Sequence, residues 1–408
     1  MNISKGADAL AKWSAIAIGF SIPISTALDN VLLLVTLLAW LVSASLLQKW
    51  TTIRANPVAY AALGIFGLLV AGCFYGQSTL SEAQSYLGKY LDILFIPILI
   101  CLFKEEKARR RAIAGFMLAM SITLILSYVT RIGLPLPDGL VQGTADNPYV
   151  FKMHITQNIF MAFFAYWLAI KARYEGIPQK RMIFALMAGL AVFNILFMVQ
   201  GRTGYLVLAA LMVYFCFDWL GRKGLAIALA AGLIMGVGGY FAAGTMQKRV
   251  DLVSTEIEAW QPGQGSGTSS GLRMDYYTNS LAIIRDHPLF GVGTGGFEKA
   301  YGEKISNTAM APSNKPHNQY LLITAQLGIL GLASLLYLFF TQWRMAVLLP
   351  TVLEQKLARG MVLTIVSGSL VNSLLLDHAE GLFFAWMSGM LFAGLHGVRQ
   401  QNWNKEKN

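Results

Sequence analysis

The chain has 408 residues, of which 55% are hydrophobic and only 13% charged, with a mean hydropathy of +0.53. A soluble domain carries about 25% charged residues, so too few are present to cover a soluble surface of this size. A soluble globule, a disordered chain and a disulfide-stapled secreted scaffold are excluded, which leaves an all-α polytopic membrane protein. The net charge of +11 points to nucleic acid only if the basic residues cluster on one soluble face, and their distribution argues against that.

A membrane span needs roughly 20 apolar residues. Twelve such runs follow one another: Leu10–Ala27, Val31–Leu47, Val58–Gly76, Tyr86–Phe103, Ala112–Thr130, Ile155–Ile170, Met182–Gln200, Tyr205–Trp219, Leu225–Gly244, Tyr320–Trp343, Gly360–Leu376 and Leu382–Val398. With the N-terminus in the cytoplasm, the cytoplasmic segments hold 21 of the 32 Lys and Arg residues, among them Arg109, Arg110 and Arg111. Net charge then divides as +14 inside and −3 outside. Such an excess on one side is the positive-inside pattern. It predicts about 12 transmembrane helices with both termini cytoplasmic, and no nucleic-acid partner. The first run, preceded by Lys5 and Lys12, resembles a signal peptide but is read as a retained span, because eleven further spans follow. Cys73, Cys101 and Cys216 all lie inside apolar runs and read as small buried hydrophobes.

The runs divide the chain into three parts: residues 1–244 with spans one to nine, a large outer loop at 245–316, and residues 317–408 with spans ten to twelve and a short cytoplasmic tail. Within the loop, QPGQGSGTSSG at 261–271 is a flexible composition. LRMDYYTNSLAIIRDHP has helical spacing with Pro288 as its stop, and GVGTGGF follows as a glycine-rich turn. A long loop with its own structure is usually functional; here it is expected to cover a cavity between the helices.

Candidate chemical groups gather on the outer side. His317, in PHNQYLLITAQLGILG, sits where the loop meets span ten and titrates near neutrality; Asn318 adds a hydrogen-bonding group beside it. Arg202 lies in GRTGY between spans seven and eight, and Arg273 lies on the loop helix. Lys89 falls in span four, three residues before Asp92, and Lys152 precedes span six. Asp377, His378 and Glu380 crowd the turn before the last span. Each has an ordinary alternative: a helix cap for His317, snorkelling for Arg202, pairing of Arg273 with Asp275 or Glu256, and an i,i+3 pair of Lys89 with Asp92. Together, one base and several cations suit a phosphate-bearing lipid substrate, since Arg binds phosphate bidentately and Lys as a point charge. GVGTGG matches a dinucleotide fingerprint only in letters, because no strand precedes it. No metal-ligand pattern stands out, and Glu256 with Glu258 is a weak candidate.

These residues resemble a known family. His317-Asn318, nine residues and then Gly328-Ile-Leu-Gly331 look like a signature of bacterial O-antigen ligases. GRTGY around Arg202 and HPLFGVGTGGF at 287–297 look like further hallmarks of the O-antigen ligase and polymerase superfamily, and Arg273 sits where that family has an essential arginine. The resemblance implies a GT-C-like fold and a lipid-linked glycan transferase of the bacterial inner membrane. The donor would be an O-antigen glycan on undecaprenyl diphosphate, and the acceptor a sugar hydroxyl of lipid A–core. In that scheme Arg202 and Arg273 hold the diphosphate and His317 acts as base. Lys89, Lys152, Asn318, His378 and Glu380 contact substrate, and the anomeric centre inverts. The glycosyl diphosphate is already activated, so no cofactor or metal is expected.

An O-antigen polymerase would use the same donor and another lipid-linked glycan as acceptor. A protein O-oligosaccharyltransferase usually has more chain after its last spans than the ten or so residues here. A transporter would place charges near the midplane and show repeated halves, neither of which is evident. A monomer is the default expectation.

Overall fold

The computed structural model describes residues 3–137, 139–230, 232, 255–256, 258–265 and 267–396. Most of the ninth apolar run, Leu225–Gly244, and the end of the twelfth lie outside them. Among the described residues the chain is helical and has no strand, only an isolated bridge between Thr144 and Asn147. The helices are α1 (Ile3–Ser21), α2 (Thr26–Val42), α3 (Leu46–Arg54), α4 (Pro57–Tyr75), α5 (Leu80–Gly88), α6 (Asp92–Leu102), α7 (Glu106–Arg131) and α8 (His154–Tyr174). They continue with α9 (Pro178–Phe193), α10 (Arg202–Leu220), α11 (Ser269–Asp286), α12 (Phe297–Ile305), α13 (Gln319–Ala346), α14 (Val352–Gly368) and α15 (His378–Phe392).

Five of these stretches are long and apolar enough to cross a membrane: α4, α7, α9 with its π turn to Met198, α10 and α13. The number rises to seven if two bent pairs count as single spans, α2 with α3 at 111° and α5 with α6 at 42°. The chain is thus a helical, polytopic membrane protein. Other apolar runs make shorter or more polar helices. Helix α8 opens on His154, Thr156, Gln157 and Asn158 and closes on Lys171 and Arg173, leaving a short apolar middle. Helix α15 has 15 residues and α14 has 17.

Two departures from the predicted runs have clear causes. The fourth run, expected as one span, breaks between Gly88 and Asp92, where Asp92 turns inward to His378 (3.5 Å). The eleventh run, expected at 360–376, is helical from Val352 to Gly368, with Thr351 capping its start. Its N-terminal turn is drawn into the protein by a buried ion pair between Glu354 and Arg109 (2.6 Å). Arg109 also donates to the carbonyls of Phe103 and Lys104, so the guanidinium is compensated as a buried charge requires. Residues 369–377 are left as a partly buried irregular segment.

Helix α15 is apolar on all sides and is accordingly buried on all sides. It packs against α6 and α14. Phe383 and Trp386 join Phe116, Phe160 and Phe163 in an aromatic centre with ring separations of 5.0–6.3 Å. Trp386 Nε1 donates to the Ala15 carbonyl at 2.9 Å, so the indole is satisfied as well as packed.

The glycine-rich turn is built into a break in α13. At Gly328 the helix adopts φ +63°, ψ −160°, a conformation that costs little only for glycine. The freed carbonyls of Ala325 and Gln326 accept from Val292 N (2.9 Å) and Gly293 N (2.8 Å), and Ile329 N donates to Pro288 O (2.9 Å). On the other side, Thr294 N donates to Gly72 O and Gln77 N to Val292 O, so the turn also clasps the end of α4. The amides of GVGTGG are therefore spent on the protein's own carbonyls and are not arrayed for a phosphate. In a membrane an unpaired backbone group costs several kcal/mol, so this exchange is what permits the break.

Gly293 has φ +83°, and a Cβ there would overlap the Cα of Gly76. Gly293→Ala is expected to destabilise by at least about 2 kcal/mol, because left-handed strain of roughly 1–2 kcal/mol adds to the clash. Gly302→Ala, in α12 with open space around it, should be neutral or stabilising. Thermal unfolding of both purified variants tests this; equal midpoints would contradict the clamp.

Candidate active site

His317 occupies the last residue but one before α13, with Asn318 as the N-cap. The Asn318 side-chain oxygen accepts from Tyr320 N (2.9 Å) and Leu321 N (3.0 Å), and its Nδ2 donates to Leu370 O (2.9 Å). Asn318 therefore anchors the start of the helix. The anchoring holds His317 at φ +53°, the one non-glycine residue with positive φ among those described. Sustained strain of this kind accumulates at functional sites. The imidazole lies half-buried against the Tyr276 ring of α11 at 5.8 Å.

Three charged groups face the imidazole: Lys315, Arg273 and Asp377. Burial, reinforced by the two cations, holds the His317 pKa below its ordinary 6.5. The ring is therefore neutral at pH 7, with a lone pair free. Lys315 is ion-paired to Asp377, which ties the end of the long loop to the segment before α15.

The other two predicted arginines differ in setting. Arg273, half-buried on α11, does not take the expected partners: Asp275 accepts from Trp260 Nε1 (2.7 Å), and Glu256 accepts from Ser270 N (3.2 Å) at the helix start. Its charge is instead directed at Tyr277 and His317. Arg202 is exposed at the first turn of α10. The glycines beside it do not supply an unusual backbone angle, since Gly201 has φ −150°. They permit close approach: a Cβ on Gly201 or Gly204 would collide with Asn158 of α8. The next residue, Thr203, bonds through its hydroxyl to Asn372, two residues from Leu370, whose carbonyl accepts from Asn318 Nδ2. The fold thus gathers His317, Arg273 and the Arg202 turn at one end of the bundle.

The remaining predicted residues fall elsewhere. Lys89 is exposed at the end of α5, with its ammonium 5.0 Å from the Tyr86 ring centre; Asp92 pairs with His378, not with Lys89. Lys152 (8% exposed) pairs with Asp29 (0% exposed) at 3.4 Å and donates to Thr26 Oγ1 at 2.7 Å. Burial lowers the Lys152 pKa, and Asp29 opposes the shift. Glu380 accepts from Thr156 Oγ1 at 2.6 Å. Lys152, His378 and Glu380 therefore belong to one buried polar cluster with Asp29 and Asp92. Sequence reading missed Asp29, Asn372, Thr203 and Lys315. The visible signals were a lone carboxylate between the first two runs and an Asn-Ser pair interrupting the eleventh. At the other end of α1 and α2, a cavity of about 200 Å³ is lined by Lys12, Lys49, Lys104 and Glu105, among others. Among the described residues, no group of three or more His, Cys, Asp or Glu could hold a metal ion.

The structure is thus a polytopic helical bundle with a cationic, histidine-bearing end. Residues 186–336 match the O-antigen ligase family. That stretch contains Arg202, Arg273, His317, Asn318 and the glycine clamp. The match supports placing the chain in the O-antigen ligase and polymerase superfamily, which points to a membrane enzyme of glycan transfer. The chain is also similar to an uncharacterized protein of Haemophilus influenzae, 23% identical over 266 residues. The alignment covers 61% of this chain and 63% of the relative, so it spans less than two thirds of that protein's length.

Removing one partner of a buried ion pair costs about 3–5 kcal/mol, whereas replacing both can be nearly neutral. Lys152→Met alone is expected to lower the unfolding midpoint strongly, and Asp29→Asn with Lys152→Met to recover most of the loss. Equal destabilisation by the single and double variants would argue against the pair.

Proposed function

We propose that the chain transfers an O-antigen glycan from undecaprenyl diphosphate to a sugar hydroxyl of lipid A–core, at the periplasmic face of the bacterial inner membrane. The observation that carries this reading is the convergence on His317 of a neutral imidazole, the Arg273 charge and the helix that begins at Arg202. The acceptor oxygen forms a bond to the anomeric carbon as the bond from that carbon to the diphosphate oxygen breaks. The departing electron pair leaves with the diphosphate, where Arg202 and Arg273 offset the growing charge. The hydroxyl proton passes to the free nitrogen of His317. Attack opposite the leaving group inverts the anomeric centre. The donor is already activated, so the step is metal-independent and uses no cofactor.

The proposal carries further assignments. All twelve apolar runs are spans in a GT-C-like arrangement, both termini are cytoplasmic, residues 245–316 form a periplasmic cover, and the protein acts as a monomer. Lys89, exposed at the end of α5, and the His378–Glu380 end serve the substrates. Lys152 and Asn318 serve indirectly, through the pair with Asp29 and through the cap of α13 that holds His317.

The test is a reconstitution in proteoliposomes with lipid-linked glycan and lipid A–core, in EDTA. His317→Ala is expected to reduce turnover about 10²–10⁴-fold with little change in KM, and Arg202→Ala to harm both. Transfer in the wild type should fall as pH drops through a midpoint below 6.5, where the imidazole gains its proton. Lys315→Met removes a neighbouring cation and should move that midpoint upward. Glycan–glycan extension would make the protein a polymerase, and no donor consumption with any acceptor would favour a transporter.

A further inference from the structure

Helices α10 and α13 begin at the candidate site, at Arg202 and beside His317, and run to the opposite end of the bundle. There the end of α8 and the start of α14 join them in one polar cluster. Asp218, in the last turn of α10, pairs with Arg173 of α8 at 3.0 Å and with Lys356 of α14. These three side chains are only 16–21% exposed. Arg359 follows Lys356 by three residues and so lies on the same face of α14. Its guanidinium sits over the Trp343 ring of α13 at 5.1 Å. Its Nε is buried without a hydrogen-bond partner, as is the hydroxyl of Tyr214, whose ring packs on Trp343 at 5.6 Å.

Three cations thus share one carboxylate, and among the described residues no carboxylate pairs with Arg359. A partly buried cation without a counterion is costly. The two unbonded groups, an Nε–H and a hydroxyl, can both donate. The cluster therefore lacks negative charge and acceptor oxygens together, and a phosphate supplies both.

The surroundings say where such a phosphate would come from. Arg173 lies 5.0 Å from the Tyr174 ring and 5.7 Å from the Trp219 ring, and both rings are exposed, as is Leu220 beside them. Exposed Trp and Tyr at the ends of apolar helices sit at the level of lipid headgroups. Basic pockets between helix ends bind such headgroups in membrane proteins generally.

We propose that Arg173, Lys356 and Arg359, with the Tyr214 hydroxyl, bind the phosphodiester of an anionic phospholipid in the leaflet opposite the candidate active site. This lipid is a resident ligand and not a substrate. Its phosphate joins α8 to α14, which Asp218 otherwise links alone.

The test uses the full-length protein in a neutral detergent, titrated with phosphatidylglycerol or phosphatidylcholine, with bound lipid counted by native mass spectrometry. The wild type is expected to take a first phosphatidylglycerol ahead of the rest, and to prefer it over phosphatidylcholine. Arg359→Gln should weaken that first molecule at least about tenfold, as the loss of a hydrogen bond to a charged group implies. Arg359→Lys keeps the charge without the planar fork and should fall between the two. Lys180→Gln removes an exposed cation at the start of α9, at the same end of the bundle, and should change the affinity by no more than about twofold. The ratio between the two lipids is compared within each variant, so a general loss of stability, which affects both lipids alike, is told apart. Equal binding of the two lipids by the wild type, or equal losses in Arg359→Gln and Lys180→Gln, would overturn the site. Displacement of the first lipid by inorganic phosphate at matching concentration would overturn its assignment to a lipid and give the site to a soluble phosphate.

Discussion

The structure depends on an exchange of backbone hydrogen bonds between a broken helix and a glycine turn. Breaking α13 at Gly328 exposes carbonyls that lipid cannot satisfy. The amides of Val292 and Gly293 take them, and the same turn reaches across to α4. Two stretches far apart in sequence become one rigid unit. The α11 helix immediately precedes that turn, and the His317 cap lies eleven residues before the break. The clamp therefore sets the height of both Arg273 and His317 against the bundle.

Around that frame, charge is arranged by contrast. Deep groups are compensated: Arg109 with Glu354, and Lys152 with Asp29. Near His317 the balance differs. Lys315 is paired with Asp377, but among the described residues no ion pair holds Arg202 or Arg273. Under the proposed function the diphosphate of the donor would be the partner of these two cations.

Several readings of the sequence needed correcting by packing. Gly201 and Gly204, beside Arg202, leave room for Asn158, which the letters GRTGY do not reveal. Asn318 looked like a substrate contact, and its side chain is committed to capping α13 and to Leu370. The glycine fingerprint at 291–296 was rightly set aside as a nucleotide loop, though its letters said nothing of a clamp. The fourth and eleventh runs read as continuous spans, because hydropathy does not register an aspartate turning inward or an arginine drawing a helix start into the core.

The sequence by itself determined that this is an all-helical, multi-span membrane protein, since bilayer solvation leaves apolar composition few other outcomes. It also marked His317 and Arg202, because charged and titratable groups at the edges of apolar runs stand out, and Arg273 on the loop helix through the family resemblance. Only the tertiary structure decided that these three elements share one end of the bundle, that Asn372 bonds the neighbour of Arg202, and that Lys152 is locked to Asp29. Those facts are set by which buried polar groups find partners across distant helices. Such pairing follows from three-dimensional packing, and no local pattern of hydropathy or spacing encodes it.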